Sequence, residues 1–306
     1  MAITKYHRIA GLLLLSCAAA CAPRRTSPEI DAKSPNVEPG KESSAKPIAA
    51  VEAPTPLPDS ASPASRAGGD KTKTASETPN VVVPDKPTER FALVDDYGRR
   101  IEVYPPTMNA QRAPFVVLLH ATCMQPAWVC DWFGQAGRDT GWLVCPSGNS
   151  TCYGEPDWHG PGPEKAAFLA SALEIVETTI PAFVDDQPGV LIGWSRGAFA
   201  ARDILYSSLE DPQLAHLAKR FRGLVLLAAA VKPDVAKLKR AGIKRVVMAA
   251  GDYDGSKSTM TSAVAVLKAG GIDARYVSLG KIGHKWPDDF ETRMRGPIAW
   301  AGKGDP

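Results

Sequence analysis

Gly193-Trp194-Ser195-Arg196-Gly197 is the segment of this chain best suited to covalent chemistry. It follows an apolar run and precedes an Ala-, Ile- and Leu-rich stretch, so the serine falls at a strand-to-helix turn. Such a turn leaves room only for small flanking residues, and it lifts the hydroxyl above the sheet at a helix start with free backbone donors. A serine used as a nucleophile needs a base, and the base needs an orienting acid. On an elbow of this kind the acid and then the histidine follow the serine along the chain. Only His216 and His284 lie downstream. His216 sits in Leu214-Ala215-His216-Leu217-Ala218, a helical surface pattern, whereas His284 sits in the loop Gly283-His284-Lys285-Trp286-Pro287. His284 is therefore the expected base. For the acid, Gly251-Asp252-Tyr253-Asp254-Gly255 follows an apolar run. Asp254 is preferred because the loop has turned away from the strand by then, and Asp252 is the alternative.

The elements that must hold these groups are legible as alternating runs. Phe91–Asp95 and Arg100–Tyr104 read as short strands around the Asp96-Tyr97-Gly98 turn. Phe115–Leu119, Gly141–Cys145, Val190–Gly193, Gly223–Val231, Val246–Ala250 and Arg275–Leu279 read as strands or apolar runs. Glu164–Val176, Gly197–Ser207, Thr259–Lys268 and a segment after Pro287 read as helices. Continuous apolar strands alternating with helices imply a mostly parallel sheet covered on both faces, an α/β architecture. No helical lid is expected between Val231 and Lys244, which implies an open site.

With these residues in place, the chain from about residue 90 to 300 resembles the α/β-hydrolases. The similarity is to the compact carboxylesterase, dienelactone hydrolase and polyester depolymerase-like branches. It is carried by the strand ending Leu119-His120, the elbow Gly193–Gly197 and the loops Gly251–Asp254 and Gly283–Pro287. The resemblance implies an α/β-hydrolase fold without an inserted lid domain. It also implies an oxyanion hole made by the backbone N–H groups of Thr122 and Arg196. Ala121 stands where that family usually has glycine, and alanine disfavours positive φ, so a reshaped loop is expected. The implied reaction is acyl transfer from an ester to water through a Ser195–His284–Asp254 triad, with no metal or organic cofactor. The substrate would be a small-molecule or polymeric ester, and peptidase or thioesterase chemistry would use the same groups. A non-catalytic surface-binding protein would keep the fold alone. Trp158 and His159 are candidates for the pocket mouth, or for ordinary loop packing.

Composition sets the setting. The 306 residues carry a formal net charge of +3, which gives no case for nucleic-acid binding. Lys5, His7 and Arg8, the apolar run Ile9–Leu15 and the small residues that follow read as an export signal ending at about residue 21. The segment resembles a bacterial lipoprotein signal with two competing lipidation cysteines, Cys17 and Cys21. That implies export to the cell envelope and a lipid anchor in a membrane. Residues 22–80 are rich in Pro, Ser, Ala and Thr. No Phe, Trp or Tyr occurs between Tyr6 and Phe91, so this stretch lacks the apolar side chains to offset ordering and is expected to be a tether. Residues 81–306 are then the hydrolase domain, expected to be monomeric. Its four cysteines repeat one spacing, and local disulfides Cys123–Cys130 and Cys145–Cys152 are expected in an oxidising compartment.

Overall fold

The computed structural model describes residues 86–304. The expected export signal, the lipidation cysteines Cys17 and Cys21 and the tether lie outside them.

The described residues form ten strands and seven helices. Strands β1 (Phe91–Val94) and β2 (Arg100–Tyr104) form an antiparallel pair. Then come β3 (Phe115–Leu119), α1 (Pro126–Arg138) and β4 (Trp142–Pro146). A small hairpin of β5 (Ser150–Cys152) and β6 (Glu155–Asp157) leads to α2 (Gly162–Thr179). Strand β7 (Gly189–Trp194) feeds α3 (Arg196–Glu210), and the short α4 (Ala215–Lys219) precedes β8 (Phe221–Leu227). The chain closes with α5 (Val235–Ala241), β9 (Arg245–Ala250), α6 (Lys257–Ala269), β10 (Asp273–Ser278) and α7 (Phe290–Gly302).

Eight strands make one sheet in the order β1-β2-β4-β3-β7-β8-β9-β10, parallel from β4 to β10. Successive side chains of a strand point to opposite faces, and both faces here are apolar. In β3, Val117 and Leu119 enter a core packed by α2, α3, α5 and α6, whereas Val116 and Leu118 enter a second core packed by α1 and α7. This double burial is why the central strands read as unbroken apolar runs. The stretch expected to lack a lid holds only the seven-residue α5, which packs on α3. Asp234 caps it by accepting from the Lys237 N–H at 3.0 Å.

The disulfide pairing differs from the expected one. Cys123 joins Cys152 and Cys130 joins Cys145, with Cα atoms 5.3 and 6.1 Å apart. The reason is α1, which the cysteine spacing alone does not reveal. Cys130 is inside that helix with its side chain turned to the sheet, where it meets Cys145 of β4 in the second core. Cys123 stays in the loop before α1 and meets Cys152 on the small hairpin instead.

The two bonds are expected to open in order. Cys130 and Cys145 are buried, while Cys123 and Cys152 are partly exposed. Mild reductant should therefore break Cys123–Cys152 first, as read by alkylation and peptide mapping. Each bond is expected to hold about 3–4 kcal/mol of stability against urea. Mapping that recovered Cys123–Cys130 would refute this nested pairing.

Candidate active site

The elbow forms because β7 runs into α3 with one residue between them. Ser195 occupies that position with φ 53° and ψ −115°, a strained conformation for a non-glycine residue. Its N–H donates to Leu227 O of β8 at 2.8 Å, and its carbonyl accepts from the Ala198 N–H at 3.0 Å. These bonds hold the turn from both sides. A Cβ at Gly197 would collide with the carbonyls of Leu119 and His120, and one at Gly193 with the Gly197 carbonyl. Both elbow glycines are therefore required by close packing of strand, turn and helix.

Three side chains from three separate loops converge here. His284 Nε2 is 3.0 Å from Ser195 Oγ, and His284 Nδ1 is 2.9 Å from Asp254 Oδ2. The Asp254 side chain is 3% exposed and that of His284 is 51% exposed. Burial by itself pushes the Asp254 carboxyl up, but the Ser256 N–H and hydroxyl and the His284 ring outweigh it and leave it below its usual range. The Ser256 N–H and Oγ–H both donate to Asp254 Oδ1, at 2.8 and 2.7 Å. With Asp254 ionised, the Nδ1 proton of His284 points to it and Nε2 is left to face the serine hydroxyl. Trp194 lies beside the imidazole, with ring centroids 6.2 Å apart.

Asp252, the alternative acid, turns elsewhere. Its Oδ1 accepts from Lys257 Nζ at 2.9 Å and from Ser278 Oγ at 3.0 Å. His216 is exposed on α4.

Arg196 is the first residue of α3, where backbone N–H groups have no intrahelical acceptor. Among the described residues, neither its N–H nor that of Thr122 donates to a protein acceptor. The loop bearing Thr122 places its positive φ away from the position where glycine was expected. Ala121 keeps negative φ, and the positive φ falls on Cys123, at 50°. Three ties fix this loop. Cys123 is bonded to Cys152, and Arg196 Nε donates to Thr122 Oγ1 at 2.8 Å. The ring nitrogens of buried His120 lie 2.7 Å from the carbonyls of Ala121 and Ser147, which joins the end of β3 to the end of β4. Burial above all holds the His120 pKa down, against the pull of those two carbonyls and Asp157.

A concavity of about 510 Å³ opens beside Ser195, lined by Thr122, Trp158, Lys165, Arg196, Phe199 and Asp203 among others. Trp158 contributes from a buried position against Phe168, so it forms floor rather than mouth. His159 is exposed and lies 2.8 Å from Asp157. Asp157 itself escapes the sequence analysis. It is fully buried, with one carboxylate oxygen 3.4 Å from Arg196 Nε, and so sits under the contact between elbow and loop. Nothing in Glu155-Pro156-Asp157 signals this, because β6 belongs to a hairpin whose other strand is tied to the loop before α1 by the long-range Cys123–Cys152 bond. Lys165 and Asp203 pair at 2.9 Å along the wall and carry no sequence signal either.

No known protein family matches the chain, and no curated protein does. Solved structures do. One reports fungal esterases from Rhizomucor miehei, with 14% identity and a TM-score of 0.51 over 72% of this chain and 84% of that one. A Bacillus cereus carboxylesterase matches at 17% identity and a TM-score of 0.48, covering 67% of this chain and 96% of that one. Thermogutta terrifontis esterase 2 matches at 16% identity and a TM-score of 0.48, covering 71% and 93%. Together with the sheet order, the first of these makes the fold an α/β-hydrolase fold.

Proposed function

We propose that this protein hydrolyses carboxylic esters through an acyl-enzyme on Ser195. The observation that carries the reading is the continuous contact from Ser195 Oγ through His284 to Asp254, at 3.0 and 2.9 Å. In this reading His284 Nε2 takes the serine proton as Oγ attacks the ester carbonyl. Asp254 stabilises the imidazolium that forms. The N–H groups of Thr122 and Arg196 receive the negative charge that develops on the carbonyl oxygen, a contribution of roughly 3–4 kcal/mol per donor. His284 returns the proton to the leaving alcohol. Water then repeats the sequence on the acyl-enzyme and frees the acid.

Esters are preferred over amides because the site is shallow and half-open around His284. An alkoxide leaves more readily than an amide nitrogen, which needs firmer alignment of the proton donor. Parallel assays on p-nitrophenyl acetate, p-nitrophenyl butyrate and the matched p-nitroanilides should give turnover on the esters. Rates on the anilides should be lower by at least about 100-fold. Equal rates on both would reassign the protein to amide chemistry.

We further propose that the protein is exported and anchored by a lipid on Cys21 or Cys17. The support is the basic, apolar and small-residue order of residues 5–21. Replacing both cysteines with serine should move the protein from the membrane fraction to the soluble one or block its maturation. An unchanged membrane fraction would refute the anchor.

A further inference from the structure

A second concavity, of about 440 Å³, lies between α1 and the start of α7 and is not used by the hydrolytic reading. It is lined by Trp128, Asp131, Trp132, Asp288, Phe290 and Glu291. Trp128 and Trp132 are 62% and 44% exposed, an unusual placement for the two largest apolar side chains of one helix. They are four residues apart in α1 and so share a face, with Cβ atoms about 5–6 Å from each other. A run of ring contacts connects the groove to His284. Trp132 stacks on Trp286 at 6.3 Å, Trp286 contacts Trp194 at 4.1 Å, and Trp194 lies beside His284.

The carboxylates of the groove are acceptors whose charge is largely answered already. Asp131 accepts from Arg90 at 3.0 Å and from the Tyr104 hydroxyl at 2.7 Å. Glu291 accepts from the Gln135 N–H at 3.0 Å and from Arg295 at 3.3 Å. Of the three carboxylates, only that of Asp288 has no partner among the described residues. A cationic ligand would call for uncompensated charge, and a hydrocarbon chain would not call for three carboxylates. A ring with weakly positive C–H faces and several hydroxyl donors meets both demands, because its faces pack on indole and its hydroxyls donate to carboxylates that retain free lone pairs.

The geometry points to a saccharide-binding groove formed by Trp128, Trp132, Asp131, Asp288 and Glu291, which holds the sugar that carries the scissile ester. This inference rests on the hydrolytic reading above and names its substrate class. The side of the site decides which half of the ester is the sugar. His284 must hand its proton to the leaving oxygen, so the alcohol lies on the His284 side, toward which the ring contacts lead from the groove. The acyl group then faces the concavity beside Ser195. In the reaction, the bond from Ser195 Oγ to the acyl carbon forms and the bond from that carbon to the sugar oxygen breaks. The serine proton passes through His284 to the sugar oxygen, and water then releases the acid.

Binding can be read apart from turnover. The full chain carrying Ser195→Ala is titrated by calorimetry with cellohexaose, xylohexaose and N,N′-diacetylated chitohexaose. At least one is expected to bind with a Kd below about 1 mM. Adding Trp128→Ala should weaken that binding at least about tenfold, and Trp128→Phe should recover most of it. Tyr97→Ala, at an exposed turn away from the groove, should leave it unchanged. If the folded protein binds none of the three sugars, or Trp128→Ala leaves binding intact, the groove is not a saccharide site. Binding of tetramethylammonium without any sugar would likewise overturn it. Wild-type protein inactive on p-nitrophenyl acetate would instead defeat the hydrolytic reading, whatever the titration gives.

Discussion

Replacing Ser195 with alanine is expected to lower kcat on p-nitrophenyl acetate by about 10⁶-fold and to abolish labelling by a fluorophosphonate. Some acceleration over water would remain, from substrate binding and the two N–H donors. The loss should be chemical and not structural. Ser195 Oγ has one hydrogen-bond partner, His284, while the bonds that set the elbow come from the Ser195 backbone. Alanine keeps that backbone and bears a similar strain at φ 53°. Thermal unfolding of the variant should therefore track wild type. A variant that kept more than about a hundredth of the activity, or that still took up the probe, would show that another nucleophile carries the reaction.

The second large effect separates the two aspartates. Asp254→Asn is expected to lower kcat/KM by about 10⁴-fold, whereas Asp252→Asn should change it by less than about threefold. The size of the first follows from Ser256. Its N–H and hydroxyl both donate to Asp254 Oδ1, so the carbonyl oxygen of an asparagine must occupy that place. The amide NH₂ then takes the position of Oδ2 and points at His284 Nδ1. A donor there drives the imidazole proton onto Nε2, the nitrogen that must accept from Ser195. Among the described residues the Asp252 carboxylate is bonded by Lys257 and Ser278, near the surface. Acid titration offers a second readout. The Asp254 pKa lies below its ordinary value in the folded protein, so its stabilisation is present above that ordinary value and is lost as pH falls through the lower folded one. The asparagine variant should lack this part of the acid destabilisation. Equal kinetic losses for the two variants would move the acid role away from Asp254.

The sequence by itself determined the α/β layering and the position of the elbow. Both depend on local chemistry. A strand buried on two faces must be apolar throughout, as in Phe115–Leu119 and Val190–Trp194. A turn that presses a helix against a strand admits only glycine at Gly193 and Gly197. Loop context set His284 and Asp254 in segments that follow strands β10 and β9, where this architecture gathers its loops, while His216 falls on α4. What only the tertiary structure decided depends on contacts between segments far apart in the chain. The cysteine spacing favoured local bridges, yet α1 turns Cys130 toward Cys145 and leaves Cys123 for Cys152. The Cys123–Cys152 bond ties the hairpin to the loop of Thr122, and buried Asp157 of that hairpin lies 3.4 Å from Arg196 Nε. The exposed indoles of Trp128 and Trp132 likewise become a groove only when α7 sets Glu291, with Asp288 just before it, opposite them. Residue spacing reports on neighbours along the chain, and a site assembled across a sheet is made of residues that are not neighbours until the sheet has formed.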